Sequence, residues 1–212
     1  MAPEALKRAR SRWHALQAEI EDTRALQALA PLSTAFLPWT TFSMRPAAIL
    51  AIMTDLTFRS SATIVECGSG NSTVFAARLL KAYGIPGHVH SLDHDEHWAN
   101  LTRRALGREQ LEDVATVIHA PLADGWYDQA MLPAVAGIDV LVVDGPPAHD
   151  RARARSREPA LDRFRDQLAA GASIFLDDSH RSGEQQVVAS WARRHGIRLE
   201  QRSGGFATAR LA

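Results

Sequence analysis

Residues Thr63-Ile-Val-Glu-Cys-Gly-Ser-Gly-Asn-Ser-Thr73 decide how this chain is read. The β-branched residues 63–65 form a short apolar run of the kind buried in a parallel sheet. A carboxylate, Glu66, closes the run. Gly68 and Gly70 then allow a tight turn and close backbone approach to a ligand, and Asn71, Ser72 or Thr73 can cap an apolar helix running to Leu80. Strand, glycine loop and helix N-terminus make one βα unit, with the loop placed to hold a nucleoside-bearing ligand.

Charge narrows the ligand. A dinucleotide loop seats a pyrophosphate on the helix N-terminus and normally carries a third glycine where this chain has Thr73. Glu66 would repel that pyrophosphate. It suits a ligand carrying an ammonium and a sulfonium, while the helix N-terminus can receive the ligand's carboxylate. S-adenosylmethionine (SAM) has all three groups, and an NAD-dependent oxidoreductase is the disfavoured alternative. In its acidic-x-Gly-x-Gly pattern the segment resembles motif I of the class I SAM-dependent methyltransferases, matched at Glu66, Gly68 and Gly70. The resemblance implies a cofactor site that also includes Ser69, Asn71 and Ser72. Asp93, within His90-Ser-Leu-Asp-His-Asp95, stands at the expected end of the second strand and matches the acidic residue that binds the ribose hydroxyls. Ala120, Pro121 and Leu122 occupy the position where this fold edges the adenine. Trp126 and Tyr127 could cover that ring, but aromatic residues at such a place are more often core.

Composition sets the outer bounds. A chain of 212 residues can bury a full core, and its 24 Lys+Arg balance its 24 Asp+Glu, so no global field favours nucleic acid or an anionic membrane. The single cysteine, Cys67, excludes an internal disulfide framework and reads as a small buried residue. Residues 1–12 are charged and lack an apolar signal core, and no apolar run reaches the length of a membrane span, so a cytoplasmic protein is expected.

Strand and helix patterns alternate with short connections, which predicts an α/β fold with a mostly parallel sheet and helices on both faces. Strands are expected at 87–92, 115–119, 139–143 and 172–176. The end differs: residues 197–201 and 206–211 both read as strands joined by Arg202-Ser-Gly-Gly205, an antiparallel hairpin of the kind that closes the Rossmann-like methyltransferase sheet. The expected organisation is an N-terminal helical extension, 1–45, and a methyltransferase domain, 46–212. Leu6, Trp13, Leu16 and Ile20 lie near one face of the first helix, which reads as packed on its own domain, with a lid or homodimer contact as the sharper alternative.

The reactive side is expected at Asp144-Gly-Pro-Pro147, directly after the apolar run 140–143, where open α/β sheets bind ligands. Asp177 and Asp178 end the next strand on the same rim, with His180 close by. This arrangement resembles the catechol-type O-methyltransferases, which implies a Mg²⁺ or other divalent site at Asp144, Asp177 and Asp178, although Asp178 stands where that family has asparagine. The run from Asp144 through Arg157-Glu-Pro159 to Phe175-Leu-Asp-Asp-Ser-His-Arg181 and Glu184 is also similar to a group of small bacterial methyltransferases and, more distantly, to glucuronoxylan O-methyltransferases. The Arg-Ala alternation of 151–157 reads as a solvated face, or as a lid whose Arg155 or Arg157 meets an acidic group on the acceptor. Arg157, His149 and Arg181 are the candidate acceptor contacts, and Asp144 or His180 the candidate base. The expected activity is SAM-dependent O-methylation of a small hydroxylated metabolite or sugar; a noncatalytic SAM-binding scaffold is the alternative from another class.

Overall fold

The structure is a computed structural model that describes the backbone of residues 2–212 and the side chains from Arg12 onward, His14 excepted. Parallel pairing joins strands β1 (Ala62–Cys67), β2 (Gly87–Asp93), β3 (Ala115–His119), β6 (Ile138–Val143) and β7 (Leu168–Leu176). Strands β8 (Glu200–Gln201) and β9 (Ala207–Arg210) form the terminal hairpin, and β9 runs antiparallel to β7. The sheet order is β3-β2-β1-β6-β7-β9-β8, while β4 (Leu122–Ala123) and β5 (Trp126–Tyr127) make a separate small hairpin. The chain builds outward from β1 to β3 and then returns to the other side of β1 with β6. The order therefore reverses between β1 and β6, and a crevice opens at their carboxyl ends.

Alternation along the strands sends each face into its own core. Ile64, Val140, Val142 and Phe175 pack with α2 (Pro46–Thr57) and α3 (Asn71–Tyr83), whereas Val65, Cys67, Leu141, Val143, Ile174 and Leu176 pack with α5 (Pro159–Phe164) and α6 (Ser182–His195). Helix α4 (Glu96–Arg108) follows β2 and adds Ala99 and Leu106 to the first core; Asp95 caps it by accepting from the His97 and Trp98 N–H groups. Val187 and Trp191 carry the buried face of α6, and Trp191 Nε1 donates to the Glu158 carbonyl at 2.9 Å.

Helix α1 (Ala2–Leu29) departs from the packed reading of the N-terminal helix. Trp13, Leu16 and Ile20 are 60%, 53% and 45% exposed, and among the described side chains of the helix Ala25 and Leu29, near its end, are the buried ones. The Leu6 side chain lies outside the described residues. Asp22 ties α1 down, since it pairs with Arg45 at 2.5 Å and accepts from the Ala47 N–H at 3.1 Å in the first turn of α2. Leu29, Leu32, Leu37 and Met44 enter the same core as α2 and α3, so packing is continuous across position 45. Among the described residues no helix is long and apolar enough to cross a membrane.

Candidate active site

The loop after β1 sits on one side of the crevice. Gly68 has φ +98°, and a Cβ there would lie 3.1 Å from the Gly145 backbone nitrogen and 3.2 Å from the Asp144 carbonyl carbon. A Cβ on Gly145 would in turn strike the Tyr127 hydroxyl and come within 3.0 Å of the Gly68 nitrogen. Two glycines thus press the β1 loop against the turn after β6. Gly70 faces the opposite way: a Cβ there would have no heavy atom within 4 Å. Helix α3 starts at Asn71 with glycine as its N-cap residue, so no side chain caps its first-turn N–H groups, and the Gly70 N–H donates to the Thr73 hydroxyl at 3.0 Å.

Glu66 and Asp93 hold this loop from beneath. Glu66 is 2% exposed, and its Oε2 accepts from the Thr73 hydroxyl and, at 2.8 Å, from the Ser91 hydroxyl. Burial raises its pKa, and hydroxyls of Ser72, Thr73 and Ser91 oppose the rise. The carboxylate expected to face a ligand is therefore turned toward α3, where it fixes the loop. Asp93 accepts from the Ser69 N–H at 3.2 Å and the Ser69 hydroxyl at 2.5 Å, and its other oxygen accepts from the Asp95 N–H at 3.0 Å. The Ala120 N–H donates to the Asp93 carbonyl at 2.7 Å, which ties the end of β3 to the end of β2. Pro121 and Leu122 are exposed at the end of β3, and Trp126 and Tyr127 are buried core residues with ring centroids 5.0 Å apart.

Across the crevice, the ends of β6 and β7 bring Asp144, Asp177 and Asp178 together, with one oxygen of each within 4.8 Å of the others. Arg157 lies among them. Its Nη2 stands 3.1 Å from Asp144 Oδ1 and 3.2 Å from Asp178 Oδ2, and its Nη1 is 3.6 Å from Glu184 Oε1. The same guanidinium donates to the carbonyls of Asp144 at 2.5 Å and Asp177 at 3.0 Å. Arg157 is 3% exposed, so the residue read as an acceptor contact on a lid is instead a buried strut with its donors committed to the protein. Burial, then the nearby Asp177, hold the Asp144 pKa well above the usual carboxylate range, with Arg157 opposing. Asp177 is raised by burial and by Asp178, and lowered by the hydrogen bond from Asp144. Both carboxyls are thus pushed upward, by burial first and then by the charge of neighbouring carboxylates.

The remaining expected contacts spread along the rim. Arg181 reaches back to Asp178 at 2.7 Å. His180 is exposed and turned toward the terminal hairpin, where a Cβ on Gly205 would lie 3.2 Å from its Nδ1. His149 is exposed and lines a cavity of about 670 Å³ together with Arg181. Burial pushes the Cys67 thiol pKa upward, as suits a packing residue.

One structural contributor has little sequence signal. Arg78 of α3, 4% exposed, donates to the carbonyls of Leu32 and Ala35, each at 3.0 Å, and pairs with Glu109 at 2.7 Å. It pins the segment between α1 and α2 across the helix side of the crevice. The Pro38 carbonyl there accepts from the Asn71 side chain at 3.2 Å, Trp39 packs on Phe75, and Phe42 packs on Trp98. Arg78 falls within an amphipathic helix pattern, and only the distant Glu109 reveals its buried head.

A seven-stranded sheet with this order, closed by an antiparallel strand and carrying a glycine loop against an acidic rim at the switch point, defines a Rossmann-like methyltransferase fold. The family described as "Methyltransferase domain" matches residues 65–179, over half of the chain, and the chain belongs to that family. No curated protein matches the sequence. Among solved structures, the chain is similar to an SAH-bound methyltransferase from Podospora anserina, with a TM-score of 0.64 and 14% identity over 89% of this chain and 87% of that one. It is also similar to an O-methyltransferase from Bacillus cereus in complex with SAH, at a TM-score of 0.57 and 18% identity over 91% and 90% of the two chains. A SAM-dependent O-methyltransferase from Thermotoga maritima aligns at 0.59 and 15% identity over 82% of this chain and 68% of that chain. These likenesses establish the shared fold.

Proposed function

We propose that this chain is a SAM-dependent O-methyltransferase acting on a small hydroxylated molecule, with Asp144 as the base for the acceptor hydroxyl. The observation that carries the reading is the backbone contact between Gly68 and Gly145, which joins the glycine loop to the turn bearing Asp144. A ligand on the loop therefore lies beside the carboxylate. The open space at Gly70, the uncapped start of α3 and the carboxylate of Asp93 fit SAM, whose carboxylate would lie at the helix N-terminus and whose ribose would meet Asp93 as Ser69 gives way. SAM supplies a methyl group already activated by its sulfonium.

The protein's own task is then to orient the acceptor hydroxyl and accept its proton. Asp144, raised in pKa by burial and by the nearby Asp177, is a stronger base than an exposed carboxylate once it has lost its proton. Arg157 limits the mutual repulsion of Asp144, Asp177, Asp178 and Glu184. Its guanidinium takes the place of countercharge that a divalent ion would take among Asp144, Asp177 and Asp178, so this donor set does not fit a resident Mg²⁺, and no step is assigned to a metal. His180, directed at the hairpin, is not needed as the base.

Transfer of a labelled methyl group from SAM to the oxygen of a hydroxylated acceptor tests the reading. Turnover that disappears with Asp144→Asn while SAH still binds supports it. SAH binding without methyl transfer to any hydroxyl, carboxyl or amine acceptor would favour the scaffold alternative instead.

A further inference from the structure

The cavity of about 670 Å³ lies between the 148–155 segment and the N-terminus of α6. Its size falls within the range of small-molecule sites. Its wall depends on Gly183, because a Cβ there would run into the Ala154 carbonyl, and only glycine lets the segment lie on the helix. Its lining includes His149, Arg151, Arg155, Arg181 and Glu184, and holds no phenyl, phenol, indole or large aliphatic side chain. An aromatic acceptor would find no apolar surface here.

The polar groups point to two chemical features of a ligand. Glu184 is 1% exposed, yet neither carboxylate oxygen has a hydrogen-bond partner, the nearest cation being Arg157 at 3.6 Å. Buried oxygens of this kind call for donors, which hydroxyl groups supply. Among the cations, Arg155 is committed to Glu158 at 2.5 Å, while Arg151 makes no ion pair among the described residues. Arg181 uses Nη1 on Asp178 at 2.7 Å, and no described bond involves its Nη2. The first N–H groups of α6 add to an anion-attracting field. Arg181 and Glu184 also connect the cavity to the acidic rim, through Asp178 and Arg157 respectively.

We infer that this cavity binds the part of the acceptor remote from the reacting hydroxyl, and that the acceptor is a non-aromatic polyol bearing a carboxylate or phosphate. This rests on the methyltransferase reading of the adjoining rim and specifies its substrate class. Hydroxyls donate to Glu184, and the anionic group meets Arg151 and the free edge of Arg181.

Calorimetric titration of the full chain, with and without SAH, tests the assignment using gluconate, glucose 6-phosphate, glucose and 3,4-dihydroxybenzoate as probes. Gluconate or glucose 6-phosphate is expected to bind at least about tenfold more tightly than glucose and 3,4-dihydroxybenzoate, and the better of the two identifies the anion. Arg151→Gln should remove most of that preference and leave SAH affinity within about twofold. Gly183→Val, which displaces the wall, should abolish probe binding. Equal or absent binding of all four probes, or a preference that survives Arg151→Gln, overturns the inference even if SAH binds normally. Failure of SAH to bind would instead count against the methyltransferase reading, while the titrations without SAH would still decide the cavity.

Discussion

Replacing Arg157 with Met removes the guanidinium while retaining most of the buried stem. The wild-type head group faces Asp144 at 3.1 Å, Asp178 at 3.2 Å and Glu184 at 3.6 Å, and it also satisfies the carbonyls of Asp144 and Asp177. Removing one partner of a buried charge pair costs about 3 to 5 kcal/mol. Each orphaned carbonyl adds about 1 kcal/mol. The expected loss at pH 8 is about 5 to 7 kcal/mol, a large share of the 5 to 15 kcal/mol that holds a typical domain, and equivalent to a fall in Tm of about 10 to 30 °C. The pH dependence has a definite sign. Asp144, Asp177 and Glu184 all have raised pKa values that Arg157 opposes, so without it their protonated forms become still more favoured. The penalty belongs to the ionised forms; it is largest above the raised pKa values and shrinks as the pH falls toward the unfolded carboxylate range near 4. Urea denaturation at pH 8 and pH 5 measures both. A loss below about 1 kcal/mol at pH 8, or an equal loss at the two pH values, would refute Arg157 as the charge centre of the rim.

Asp144→Asn should lower turnover at least about 100-fold and change SAH affinity by less than about threefold, as read by labelled methyl transfer and calorimetry. The rate should rise with pH as Asp144, whose pKa is raised, ionises; Asp177→Asn, by removing a neighbouring negative charge, should move that limb to lower pH in a kcat/KM profile. Turnover should persist in excess EDTA, because Arg157 supplies the countercharge, and loss of activity restored by Mg²⁺ would reverse that assignment.

Much of the fold was legible because parallel strands are buried on both faces and leave continuous apolar runs. The expectations at 87–92 and 115–119 meet β2 and β3 almost residue for residue. The strand expected at 172–176 begins earlier, at Leu168, because Leu168 pairs with Ile138 before a register shift that the apolar pattern does not reveal. The terminal hairpin was legible from Gly204 and Gly205, but its strands are shorter, since only Glu200 and Gln201 pair with β9. Juxtaposition at the crevice followed from strand ends: Gly68, Asp93, Asp144, Asp177 and Asp178 all terminate parallel strands or follow them directly. Side-chain direction did not follow. Glu66 turns inward to Thr73 and Ser91, and Arg157, in a run that reads as a solvated face, is buried by carboxylates 13 to 27 positions away in the chain. Glu184 entered only as the end of the run similar to small bacterial methyltransferases, and nothing local signals that it is buried without a hydrogen-bond donor.

The central claim is that the Gly68–Gly70 loop holds SAM beside Asp144, and calorimetric titration of the full chain with SAH and with NADH tests it most directly. The account predicts saturable binding of one SAH per chain, weakened by about 1 to 3 kcal/mol in Asp93→Ala, with no NADH response. Tight NADH binding together with no heat from SAH would contradict it.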